Sequence, residues 1–112
     1  MKTKKLTEKV ILDTLTEQKE ILKKYGVKRI GLFGSFVRGE QKEYSDIDFL
    51  VEFEKPSFDN FMDLAFYLED LFGRKVKLIT NGSLSPYIQP YVEKEIKWYE
   101  TEDRRLRVKG SL

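Results

Sequence analysis

The chain contains no cysteine and no histidine. Disulfides, thiolate metal sites, zinc held by imidazole and imidazole general bases are therefore excluded, as are the Ser-His-Asp and Cys-His forms of nucleophilic catalysis. Any metal must be held by oxygen, which favours Mg²⁺, Mn²⁺ or Ca²⁺. No apolar run is long enough to span a bilayer, and the opening MKTKKLTEKV lacks a signal-peptide core. The expected compartment is the cytoplasm. No sign of charge prevails either: 21 Lys and Arg against 19 Asp and Glu leave a net +2. Spread along the chain in this way, the charge argues neither for nor against a nucleic-acid partner. Only Arg104, Arg105, Arg107 and Lys109 form a basic cluster without an intervening acid. Abundant Lys and Glu without Cys is compatible with a thermophilic source.

What the chain does have fits one core. At 112 residues, 40% of them hydrophobic, it is expected to be a single domain spanning 1–112, loose from about residue 101 onward. Residues 7–24 read as a helix: Ile11, Leu15 and Leu22 recur at helical spacing, and Gly26 offers a stop. A strand is expected over 29–33, a polar turn or short helix over 36–43, and an alternating strand over 46–53. Residues 58–72 carry the clearest amphipathic pattern, with Phe61, Leu64, Ala65, Leu68, Leu71 and Phe72 as the apolar stripe and Gly73 as the stop. A strand over 76–80 and a turn at Asn81-Gly82 follow. Ser85-Pro86 then reads as an N-cap and first helical residue, opening a helix to about Glu95 before a short strand over 96–99. There is no internal repeat. The expected class is α/β (α+β): a small mixed sheet flanked by helices that cover one face.

Chemistry concentrates in GLFGSFVRGEQKEYSDIDFLVEF, Gly31 to Phe53. Side chains alternate along a strand, so Asp46 and Asp48 project to one side while Ile47, Phe49 and Val51 project to the other. Two carboxylates so placed repel each other unless a cation lies between them. Upstream, Gly34 allows a sharp turn and a close backbone approach, and the following amides with the Ser35 hydroxyl can receive phosphate oxygens. Arg38 can reach the same phosphates. A D-x-D alone is most often a solvated strand edge, and a lone Gly-Ser says less. In this order, flanked by apolar strands and separated by a polar turn, the two suit phosphoryl transfer assisted by metal ions.

GSFVRGEQKEYSDIDFLV resembles the G-S-x10-D-x-D signature of the minimal nucleotidyltransferases in the DNA polymerase beta superfamily. The likeness runs on through EFEKPSFDNFMDLAFYLEDLFGRKVKLIT into SLSP. It implies the nucleotidyltransferase fold of that superfamily, with Gly34 and Ser35 holding the triphosphate of ATP and Asp46 and Asp48 binding two Mg²⁺ as the catalytic carboxylates. Many members are encoded beside a helical HEPN ribonuclease toxin and act as its antitoxin, some by transferring AMP to a toxin tyrosine. One departure stands out: where the family's third strand carries an acid, in a pattern like K-V-D-L-V, this chain has KVKLIT and Lys77. The lysine either substitutes for a cation beside the two carboxylates or marks a domain that has lost activity. Glu52 shares their parity but lies too far along the strand to replace the missing acid.

Two functions follow. The chain is an enzyme moving AMP from ATP to a hydroxyl of a partner protein, or a non-catalytic antitoxin that neutralises its toxin by binding. Intact Gly34-Ser35 and Asp46-x-Asp48 favour the first, Lys77 the second. Transfer to RNA or an antibiotic is disfavoured because no room remains for an acceptor domain. Homo- and hetero-oligomers both remain open. Tyr87, Tyr91, Trp98 and Tyr99 are available either for stacking and partner contact or for packing.

Overall fold

The computed structural model describes residues 5–101. Its elements run α1 (Glu8–Glu17), α2 (Lys19–Lys24), β1 (Val27–Phe33), α3 (Ser35–Arg38), β2 (Ile47–Phe53), α4 (Phe58–Phe72), β3 (Val76–Thr80), a 3-10 turn at Asn81–Ser83, α5 (Gln89–Glu95) and β4 (Lys97–Glu100). The four strands form one sheet in the order β3-β2-β1-β4. β1 pairs antiparallel with β2 and β4, and β2 pairs parallel with β3, so the sheet is mixed.

α4 has the expected bounds, and the local chemistry explains both ends. The Ser57 hydroxyl accepts from the Asn60 amide at 3.0 Å, and Gly73 takes a left-handed φ of 62° to close the helix. The first helix departs from expectation by breaking at Gln18, with φ −101° and ψ 22°. Thr14 and Thr16 bond back to the Val10 and Leu12 carbonyls at 2.7 and 3.0 Å, a competition that bends helices. Gln18 also accepts the Tyr67 hydroxyl at 2.6 Å. Ser85-Pro86 does not start a helix. The Ser85 hydroxyl accepts from the Tyr87 amide at 3.2 Å, which holds 85–88 as a turn, and α5 starts at Gln89 with Pro90 in its first turn.

Alternation along the strands separates two apolar clusters. Ile30, Leu32, Ile47, Phe49 and Val51 face Ile11, Leu15, Leu22, Phe36, Leu64 and Leu68. A register shift between Val27 and Arg29 brings Val27 to this side as well, opposite Phe53. Of the stripe expected on α4, Leu64 and Leu68 are fully buried, while Phe61, Leu71 and Phe72 pack partly against the core. The other sheet face is not left open as the sequence pattern suggested. Val92 of α5 packs on Phe33 and Leu50, with Ile79, Leu84, Ile96 and Trp98 around them. Gly31 permits this, because a side chain there would run into Ile96 and Trp98.

The chain beyond β4 begins with a fixed residue. Thr101, where the loose segment was expected to start, is buried and donates to the Val27 carbonyl at 2.9 Å. The basic cluster at 104–109 lies outside the described residues. Among the described residues no helix is long and apolar enough to cross a membrane.

Candidate functional site

The site forms where β1 leaves the sheet beside the start of β2. Phe33 is the register partner of Asp48, and Gly34 follows at φ 86° and ψ −152°, a conformation that side chains exclude. A Cβ at Gly34 would collide with the Asp48 carboxylate. The fold thus brings the Gly-Ser turn and the D-x-D into one place, although ten residues lie between Ser35 and Asp46 along the sequence. Ser35 opens the short α3, and the Gly34 carbonyl accepts from Val37 and Arg38 at 3.0 and 3.2 Å. Asp48 lies within β2, whereas Asp46, expected as the first residue of that strand, stands one residue before it.

Charges converge on Asp48. Burial pushes its carboxyl above the usual carboxylate range, the nearby Lys77 pulls it down, and Asp46 pushes it up again. Arg38 and Glu95 add smaller opposing effects. A half-buried acid in this state gains from a cation supplied by the ligand. Lys77 is the register partner of Asp48 across the parallel β2–β3 pair, so it does stand beside the carboxylates. Glu52 is committed elsewhere, accepting from Arg29 at 2.6 Å, while the Arg29 guanidinium lies 3.8 Å from the centre of the Trp98 ring.

Two contributors escaped the sequence reading. Glu95, the last residue of α5, accepts the Gly34 amide at 2.7 Å and the Arg38 guanidinium at 3.0 and 3.2 Å. Arg38 also meets Glu40 at 3.0 Å, and its guanidinium is held more firmly charged by hydrogen bonds to Glu40 and Glu95. Nothing local marks Glu95, which is 61 residues from Gly34. A faint signal is its place: an acid at a helix C-terminus opposes the helix dipole. The second contributor is Arg74, which donates to the Ser45 and Lys42 carbonyls at 2.9 and 3.3 Å. It pins the turn that delivers Asp46.

Among the described residues no group of three or more acids, histidines or cysteines is placed to hold a metal ion. Asp46 and Asp48 offer an all-oxygen pair, which suits Mg²⁺ when phosphate oxygens and water complete its shell. A cavity of about 680 Å³ lies elsewhere, lined by Phe53, Phe58, Phe61, Leu78 and Ile79, and contains none of these residues. The four aromatics separate into two pairs. Trp98 and Tyr99 are partly buried in the two clusters, while Tyr87 and Tyr91 are 86% and 73% exposed.

A family model described as a nucleotidyltransferase domain matches residues 15–99, well over half of the chain. The chain is 46% identical over 93 residues to the protein adenylyltransferase MntA of Thermococcus cleftensis, covering 81% of this chain and 94% of that one. The fold is similar to that of a candidate minimal nucleotidyltransferase, with a TM-score of 0.71, 27% identity and coverage of 85% and 98%. It also matches a chain in a crystal structure of a toxin–antitoxin with AMP-PNP, with a TM-score of 0.59, 26% identity and coverage of 83% and 72%.

Proposed function

The chain belongs to the nucleotidyltransferase domain family, and from that premise we propose that it transfers AMP from ATP to a hydroxyl of a partner protein. The partner is a HEPN-type toxin, which the chain neutralises as its antitoxin. The observation that carries this reading is the approach of Gly34 to Asp48, so close that no side chain fits between them. It joins a phosphate-type turn to a metal-type carboxylate pair. The protein adenylyltransferase name of the archaeal relative and the AMP-PNP of the toxin–antitoxin neighbour support the choice of nucleotide and acceptor.

In this reading Asp46 and Asp48 hold Mg²⁺, which when bound neutralises the triphosphate and the charge that develops during transfer. Ser35, Gly34 and Arg38 fix the phosphates. The acceptor oxygen bonds to the α-phosphorus while the α-phosphorus–oxygen bond to the β-phosphate breaks, pyrophosphate leaves and the hydroxyl proton passes to solvent water. The chain's own part is positioning, which is worth several kcal/mol when the reacting atoms are held in line. The partner presents its own tyrosine, serine or threonine to the site. Tyr87, in the turn before α5, and Tyr91, within α5, are exposed and form the candidate contact.

A second reading, neutralisation by binding alone, is favoured by Lys77 opposite Asp48. Co-expression with the partner, followed by size-exclusion chromatography and intact mass spectrometry, separates the two. A complex whose partner gains the mass of one AMP, or of several, supports transfer. A complex without added mass supports the binding module. No complex, with rapid transfer to RNA or a small molecule instead, rejects both.

A further inference from the structure

We infer that Glu95 is a positioning residue of the nucleotide site, holding the Gly34 amide and the Arg38 guanidinium in place from the end of α5. The inference rests on the reading above of Gly34, Ser35 and Arg38 as the triphosphate-binding groups. One carboxylate serves both groups: Oε2 accepts the Gly34 N–H at 2.7 Å, and both oxygens accept from Arg38 Nη1 at 3.0 and 3.2 Å.

Each partner needs such a hold. Gly34 is buried, and its N–H would be an unpaired donor without Glu95, a state that folded proteins avoid. As a glycine it also has no side chain to restrict its dihedral angles, so the turn depends on outside contacts. Arg38 stands on a four-residue helix, and its side chain is half-exposed. Its other acid, Glu40, is exposed and two residues away, so it moves with the arginine instead of fixing it. Glu95 differs. Its side chain is only 20% exposed, and its helix is anchored by buried Val92. Helix stability does not account for the residue, since an acid in the last turn opposes the dipole.

The alternative is that Glu95 occupies a phosphate position and is displaced by the triphosphate, and it gives effects of opposite sign. Wild type, Glu95→Ala and Glu95→Gln are compared by NMR hydrogen exchange at the Gly34 amide and by calorimetry with ATP and Mg²⁺. Glutamine keeps a carbonyl for the Gly34 N–H but removes the charge that faces Arg38. Exchange at Gly34 is expected to accelerate strongly in Glu95→Ala and to stay near wild type in Glu95→Gln. ATP affinity is expected to fall about tenfold in Glu95→Ala, the scale of one lost charge-assisted hydrogen bond, and less in Glu95→Gln. Equal or tighter ATP binding by a folded Glu95→Ala protein overturns the inference, and so does unchanged exchange at Gly34. Should Glu95→Ala not fold, ATP binding by Glu95→Gln at or above wild-type strength overturns it. If Gly34 exchange responds as expected while wild type itself binds no ATP, the hold on the turn stands and the nucleotide reading fails.

Discussion

Along β2, Ile47, Phe49, Val51 and Phe53 enter the main core, whereas Asp48, Leu50 and Glu52 on the alternate face each meet a different partner. The first row follows a single rule, burial of apolar surface at a period of two. The second row is assembled from distant pieces: Asp48 with Gly34 and Lys77, Leu50 with Val92, and Glu52 with Arg29. One strand therefore carries the main core on one face and the proposed site on the other, and substitutions at neighbouring positions are expected to separate the two.

The largest effect is expected on the core row. Phe49→Ala should lose about 3–5 kcal/mol of stability in urea unfolding, since a fully buried aromatic leaves a cavity. Asp48→Asn, one residue away, should stay within about 0.5 kcal/mol of wild type by the same measurement. Equal losses at the two positions would erase the distinction between the faces.

Gly34→Ala sharpens the comparison because it touches both. The backbone strain of a side chain at this φ and ψ is about 1–3 kcal/mol, and the new Cβ must displace the Asp48 carboxylate. Reduced thermal stability together with lost ATP binding is expected. A variant that melts and binds like wild type would show that the close approach of turn and carboxylate is not needed.

A smaller effect is expected at Lys77. If the lysine replaces a needed acid, Lys77→Asp should raise AMP transfer about tenfold, equivalent to roughly 1.4 kcal/mol of barrier. Without metal the same variant should be less stable than wild type, because a carboxylate then faces Asp48 in register. A wild type that is already active, and slower with aspartate at 77, would make Lys77 a working part of the site.

The same contrast between the faces decided what could be read from sequence. α4 and β3 were legible residue for residue, because an apolar stripe, Ser57 and Gly73 are local signals. So were the two rows of β2, apart from the single residue by which Asp46 falls outside the strand. The helix break at Gln18 and the late start of α5 were not, because Thr14, Thr16 and Ser85 redirect their hydroxyls to nearby backbone groups, a choice that periodicity does not reveal. The covered second face was missed because only Val92 of α5 is buried on it, too few residues to make a pattern. Gly34, Ser35, Arg38, Asp46 and Asp48 were legible as a motif. Glu95 and Arg74, which hold that motif's turns, reach it from 61 and 29 residues away, and only the place of Glu95 at a helix end hints at this.

The central claim is that the Gly34-Ser35 turn and the carboxylates Asp46 and Asp48 make one nucleotide site. Calorimetric titration of ATP, with and without Mg²⁺, into wild type and an Asp46→Asn, Asp48→Asn double variant tests it most directly. Wild type is expected to bind ATP more tightly with Mg²⁺ than without, and the double variant to lose that enhancement while remaining folded. Equal, metal-enhanced ATP binding by both proteins would contradict it.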